Sequence, residues 1–192
     1  MKGAGRYETN LAILKEAGVT TTDEVLIATG KNYADSLSAS ATGLPMLLVD
    51  KELSEAQKAF LETTSGKFVI IGGTGAVSAD VEAELDAIGD VTRVKGANRY
   101  GTSVEIAKRY FTDPESAVLA YAQGFPDGLC GGPLALSMDA PLILTSNDSF
   151  AAADDYVTGI SSGAVTGGTS RISDDTVRAI FDLSPDTPVV KP

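Results

Sequence analysis

The chain of 192 residues contains no histidine, no tryptophan and a single cysteine, Cys130. Without histidine it lacks the commonest general base near neutral pH and the commonest metal ligand. One cysteine excludes an intrachain disulfide and any Cys-x-x-Cys metal knuckle. Cys130 lies among small residues with no histidine to activate it, and reads as a buried packing residue. Cysteine avoidance fits an exported protein as well as a cytosolic one. Tyr7, Tyr33, Tyr100 and Phe125 could stack on sugars, but without tryptophan they do not define a carbohydrate platform. No apolar run approaches the roughly 18 residues of a membrane span. Basic residues are outnumbered, 15 against 26 acidic, for a net charge of −11. That field repels nucleic acid and anionic membranes, so neither is an expected partner. Met1-Lys2-Gly3 is no signal peptide, so the expectation is an intracellular protein or an excised piece of a longer exported one.

What the chain does have is internal repetition. Lys95 to Thr102 (KGANRYGT) nearly repeats Lys2 to Thr9 (KGAGRYET), with Gly3, Arg6, Tyr7 and Thr9 falling on Gly96, Arg99, Tyr100 and Thr102 at an offset of 93 residues. Tyr33, Asp35 and Leu37 fall on Phe125, Asp127 and Leu129 at an offset of 92. Pro45-Met46-Leu47-Leu48-Val49 falls on Pro141-Leu142-Ile143-Leu144-Thr145 at 96, and Gly72-Gly73-Thr74 on Gly167-Gly168-Thr169 at 95. Four blocks in one order with small drifts mark a duplicated unit. The expected division is 2–95 and 96–192, each too small to bury its surface fully alone.

Within each copy the apolar spacing predicts an amphipathic helix first, Arg6 to Glu16 with a C-terminal Gly18, and Arg99 to Tyr110 or Phe111. Short continuous apolar runs, Val25 to Ala28 and Ala117 to Ala120, read as strands covered on both faces. Small-residue segments, Ser36 to Gly43 and Gly128 to Met138, read as short buried helices. The proline-led runs, Lys67 to Ile71 and Gly163 to Thr166 are further strands. Ser54 with Gln57 forms a capping-box pattern, Ser149 to Thr158 is its counterpart, and Ser78 and Ser173 cap later helices. Val91 to Val94 closes the first copy and Thr187 to Val190 the second, so the second unit reads as complete and only a strand before Met1 as missing. Strands joined through helices imply two α/β units, each a mainly parallel sheet with helices on both faces. In such sheets ligands collect beyond the strand C-termini, where Tyr33, Asp35, Phe125, Asp127 and the glycine-rich loops gather.

The series Gly-x-x-Arg-Tyr-x-Thr, Ala-Thr-Gly-x-x-Tyr-Ala-Asp-Ser-Leu, Pro-Met-Leu-Leu-Val and Ile-Gly-Gly-Thr-Gly-Ala-Val-Ser resembles the type 2 cell-wall-binding repeat of Gram-positive bacteria, over nearly the whole chain. The resemblance implies Rossmann-like or Toprim-like units, commonly three in tandem, that hold surface proteins and wall hydrolases on an anionic secondary polymer. It implies an extracellular, wall-bound protein with a fused or associated effector. It also links Pro45, Met46, Leu47 and Leu48, with Pro141, Leu142, Ile143 and Leu144, to polymer binding. This chain departs in having two units and in carrying Tyr121 and Gln123 where the first copy has Thr29 and Lys31.

Each singled-out residue has a plainer reading. Arg6 and Arg99 suit bidentate recognition of phosphate or carboxylate, yet could equally cap a carbonyl at the start of each repeat. Asp35 and Asp127 fit helix starts, where a carboxylate meets backbone N–H groups, and no partner acid or base stands near them. The Gly-Gly-Thr loops lack the Lys-Ser/Thr of a phosphate loop and read as tight turns. Strands buried under helices could influence binding only through folding. The expected protein is therefore a non-catalytic anchor without metal or cofactor. Its groove would contain Arg6, Arg99, Arg93 and Lys95, with Tyr7, Tyr33, Tyr100, Phe125 and the two aspartates near it. Two alternatives stand beside it: a self-association or protein-protein module, and a small-molecule enzyme relying on Asp35, Asp127, Lys31 and the tyrosines.

Overall fold

Among the described residues every strand is followed by a helix. The computed structural model describes residues 2–19, 24–160, 162–187 and 189. The first copy runs α1 (Arg6–Glu16), β1 (Val25–Thr29), α2 (Ala34–Ser40), β2 (Met46–Val49), α3 (Glu55–Leu61), β3 (Lys67–Ile71), α4 (Ala79–Asp86), β4 (Asp90–Val94). The second runs α5 (Arg99–Tyr110), β5 (Ser116–Tyr121), α6 (Phe125–Ser137), β6 (Leu142–Thr145), α7 (Ala151–Val157), β7 (Ser162–Thr166), α8 (Asp174–Ile180). The closing strand expected at Thr187 to Val190 includes residues outside those described.

The strands form two all-parallel sheets, β2-β1-β3-β4 and β6-β5-β7. The registers repeat: Thr29 stands beside Val49 and Tyr121 beside Thr145. The fold is α/β, with helices flanking each sheet. Two compact units result, one of Met1–Ser36 with Leu44–Lys95, the other of Leu37–Gly43 with Gly96–Pro192.

Each core follows from the period of two along a strand. In the first unit Val25, Ile27, Leu47, Phe68 and Ile70 face Leu11 and Leu14 of α1, Phe60 and Leu61 of α3, and Val81 and Leu85 of α4. In the second, Ala117, Leu119 and Ile143 face Val104 of α5, Val157 of α7 and Ile180 of α8. The alternate positions meet α6, whose Gly131 sits where an added Cβ would lie 3.0 Å from Leu142 and from Thr166. Gly128 and Gly132 of the same helix face Leu37 and Ser40 just as closely. Small residues are thus used for close approach, as their composition suggested.

The caps hold in detail. Gly18 takes φ +69°, its N–H bonds Lys15 O and the Val19 N–H bonds Leu14 O, which closes α1 in a Schellman turn. Ser54 and Gln57 form the reciprocal capping box on α3, and Ser78 and Ser173 accept from Val81 N and Thr176 N. Two expectations need correction. Ser149 does not cap: α7 begins one residue later than its counterpart α3, which puts Phe150 at the N-cap with no side-chain cap. Nor is α6 a buried helix. It exposes Phe125, Leu129 and Leu136, and Cys130 is exposed with them.

Candidate functional site

The repeated opening words build a latch between α1 or α5 and the end of the neighbouring strand. Gly3 N–H donates to Thr9 Oγ1 at 2.9 Å, and Gly96 N–H to Thr102 Oγ1 at 3.1 Å. A Cβ on Gly96 would lie 2.2 Å from Gly101 C and 2.5 Å from Thr102 N, and one on Gly3 would strike Glu8 and Thr9 as closely. Only glycine lets the chain cross the first helical turn this tightly. Arg6 Nη1 then donates to Gly30 O, and Arg99 Nη1 to Ala122 O at 2.7 Å, the carbonyls just beyond β1 and β5. Tyr7 closes over Gly30, where a Cβ would come within 2.3 Å of its ring.

Asp35 and Asp127 enter the first turns of α2 and α6 and reach the Gly-Gly-Thr loops. A Cβ on Gly72 would sit 2.4 Å from Asp35 Oδ2, and one on Gly167 3.0 Å from Asp127 Oδ2. Both glycines have positive φ, +100° and +130°. The loops are turns shaped to receive a carboxylate. A second arginine at the first unit's strand ends, Arg93, is held by Glu82, Nη2 to Oε2 at 2.9 Å, and by Gly72 O, which accepts from Nη1 at 2.8 Å, with its side chain 10% exposed. Its hydrogen bond to Glu82, above all, holds that carboxyl below its ordinary value despite partial burial. Lys95 is exposed beside it, and Tyr33 is half-buried.

The proline-led strands are core. Leu47, Leu142, Ile143 and Leu144 are buried, as is Pro141, while Pro45, Met46 and Leu48 are half-buried. Their backbones are closed by helix side chains: Asn10 donates to Met46 O at 2.9 Å and accepts from Leu48 N at 2.8 Å, Gln57 donates to Leu48 O, and Ser103 accepts from Leu144 N. A cleft of about 380 Å³ lies beside Tyr7, but its charged rim is Glu8, Asp50 and Glu52 against Lys51. Three carboxylates to one ammonium do not favour an anion there.

The same latch, arginine cap and strand-end turn therefore stand in both copies. A match to the Cell wall binding domain 2 family covers residues 1–82 and again 93–177. The chain belongs to this family. As two tandem cell wall binding domains, it is a cell-wall-binding module. It is 31% identical over 183 residues to N-acetylmuramoyl-L-alanine amidase LytC of Bacillus subtilis, with 89% of this chain and 36% of the amidase covered. It is 27% identical to the amidase enhancer of the same organism, with 82% and 22% covered. The chain thus spans about a third or less of the length of these relatives. Among solved structures it resembles Cwp8 from Clostridium difficile, with TM-score 0.78, 27% identity, and 95% of this chain and 33% of that one covered. Cwp6 from Clostridium difficile shares the fold at TM-score 0.82 and 22% identity, with 94% and 31% covered. Among the described residues of this cell wall binding domain pair, no helix is long and apolar enough to cross a membrane, and no group of three or more acidic or sulfur ligands could hold a metal ion.

Arg171 stands where the first copy has Ala76, so likeness between the copies does not mark it.

Proposed function

We propose that this module, with repeat units 2–95 and 96–192, attaches an exported effector protein to an anionic secondary polymer of the Gram-positive wall, without catalysing a reaction. The observation that carries the reading is the pair of arginines at the strand ends of both cell wall binding domains. Each guanidinium donates to a carbonyl just beyond a strand, which holds it at the strand end. A planar fork held there suits a phosphate or carboxylate. The net charge of −11 opposes a polyanion in bulk, so the attraction is local and short-ranged. Absence of histidine leaves the neighbouring aspartates without the usual acid-base partner.

The test is retention on purified walls across a salt series, for the wild type and for Arg6→Ala with Arg99→Ala, with a melting curve for each to separate binding from folding. Retention should weaken with salt and fall further in a variant that remains folded. Indifference to both would remove the electrostatic groove.

A second reading is favoured by one observation. Leu37 is buried at 7% exposure, while its repeat counterpart Leu129 is 61% exposed on α6 next to Phe125. A further unit or a second copy of the chain would cover that face. Light scattering after size exclusion, with Leu129→Asp as the comparison, tests it: a monomer that the substitution leaves unaltered excludes self-association.

A further inference from the structure

At the strand ends of the second unit, polar side chains are linked in series. Arg171, in the loop between β7 and α8, holds its guanidinium over the Tyr121 ring, with Cζ 5.0 Å from the centroid, and donates from Nη1 to the Tyr121 hydroxyl at 3.3 Å. That hydroxyl donates to Gln123 Oε1 at 3.4 Å, and Gln123 Nε2 donates to the Tyr100 hydroxyl at 3.5 Å. Tyr100 in turn shares a 3.2 Å hydrogen bond with the buried Ser146. Burial alone would raise the Tyr100 phenol. Hydrogen bonds with Ser146, Gln123 and Ser149 and the charge of Arg99 outweigh it, and the group sits below its ordinary value of 10.0.

The first unit is built differently at these positions. Repeat alignment places Thr29, Lys31, Asp50 and Ala76 where the second copy has Tyr121, Gln123, Ser146 and Arg171. In the first copy the cation, Lys31, is paired with Asp50. In the second the carboxylate has become a hydroxyl, the lysine an amide, and a cation has been added at Arg171. Arg171 is exposed, and among the described residues it has no acidic partner. An ion pair has been replaced by a guanidinium over an aromatic ring, beside hydroxyl and amide groups and without an acidic partner among the described residues.

That set has a definite chemistry. The ring and its hydroxyl hold the guanidinium in place, and its remaining N–H donors can take a carboxylate or phosphate two-pronged. Tyrosine, serine and glutamine both donate and accept, as sugar hydroxyls require. We propose that Arg171, Tyr121, Gln123, Tyr100 and Ser146 form a subsite for an anionic sugar residue, and that the first unit has no equivalent. The proposal rests on the reading that the chain grips an anionic wall polymer, and makes the two repeats unequal in doing so.

The test measures retention of the whole chain on purified Gram-positive walls, Bacillus subtilis among them, for the wild type, Arg171→Ala, Arg171→Lys and Lys31→Ala. Free galacturonate, glucose 6-phosphate and glucose serve as competitors. Arg171→Ala should weaken retention about tenfold or more, the loss of a charge-assisted pair. Arg171→Lys should fall between, and Lys31→Ala should match the wild type. Galacturonate or glucose 6-phosphate should release the protein, and whichever does so at lower concentration distinguishes carboxylate from phosphate. Arg171→Ala retained like the wild type would overturn the subsite while leaving the anchor reading intact. An equal loss in Lys31→Ala would overturn the inequality of the repeats, and release by glucose as readily as by the acids would overturn the anion requirement. Failure of the wild type to bind any of the walls would overturn the anchor reading, and the subsite with it.

Discussion

Replacing Gly96 by alanine tests the latch that opens each repeat. The added methyl would lie 2.2 Å from Gly101 C, 2.5 Å from Thr102 N and 2.7 Å from Gly101 Cα, all backbone atoms inside the first turn of α5. Backbone cannot swing aside as a side-chain tip can, so the segment before the helix must retreat. Overpacking of this kind costs about 1–3 kcal/mol. Retreat also lengthens the 3.1 Å bond from Gly96 N–H to the buried Thr102 hydroxyl, a further loss of about 1 kcal/mol. The expected cost is about 2–4 kcal/mol, a fall in melting temperature of roughly 5–15 °C for a chain of this size. Gly101 is the internal comparison, since it forms the other side of the same contact. A Cβ there would meet nothing closer than 3.4 Å, and it sits within α5, where alanine is favoured over glycine by about 0.5–1 kcal/mol. Gly101→Ala should therefore raise the melting temperature while Gly96→Ala lowers it. Melting followed by circular dichroism at fixed protein concentration reads both. A Gly96→Ala protein that melts with the wild type, or a Gly101→Ala protein that falls as far, would refute the latch.

Two further outcomes follow from local geometry. Asn10→Ala strips β2 of the side chain that bonds both Met46 O and Leu48 N, and should cost about 1–3 kcal/mol with faster hydrogen exchange at the Leu48 amide. Unchanged protection at Leu48 would show that water replaces Asn10 without loss. Glu82 is held below its ordinary value of 4.5 by its hydrogen bond to Arg93, so its contribution is present above that unfolded value and lost as pH falls through the lower folded one. Glu82→Gln should be the less stable protein in urea at neutral pH, and the difference should close on acidification. A difference that persists at low pH would show that the pair does not set this part of the acid response.

Much of the architecture was legible in the sequence because it was written twice. Gly3, Arg6 and Thr9 are matched in the second copy because each has a fixed geometric task in the latch: close approach, a carbonyl cap and an acceptor. The capping box at Ser54 could be read locally, since both partners lie within one turn. Ser149 misled because α7 starts one residue later than α3, so the position that matches Ser54 lies outside the cap. Exposure of α6 could not be read, since a helix of Gly, Ala and Leu has no polar face to mark its outer side. Asp35 and Asp127 were legible as first-turn acids, but their meeting with Gly72 and Gly167 joins loops distant in sequence. Arg171 stayed hidden because it differs from its counterpart, and a comparison of copies rewards agreement.

The central claim, put forward as the proposed function, is that this chain grips a secondary polymer of the wall. Its most direct measurement is retention of the purified protein on isolated sacculi before and after the secondary polymers are removed. The account predicts strong retention on the untreated sacculi and its loss on the stripped ones. Equal retention on both would contradict it, because the peptidoglycan alone would then be the ligand.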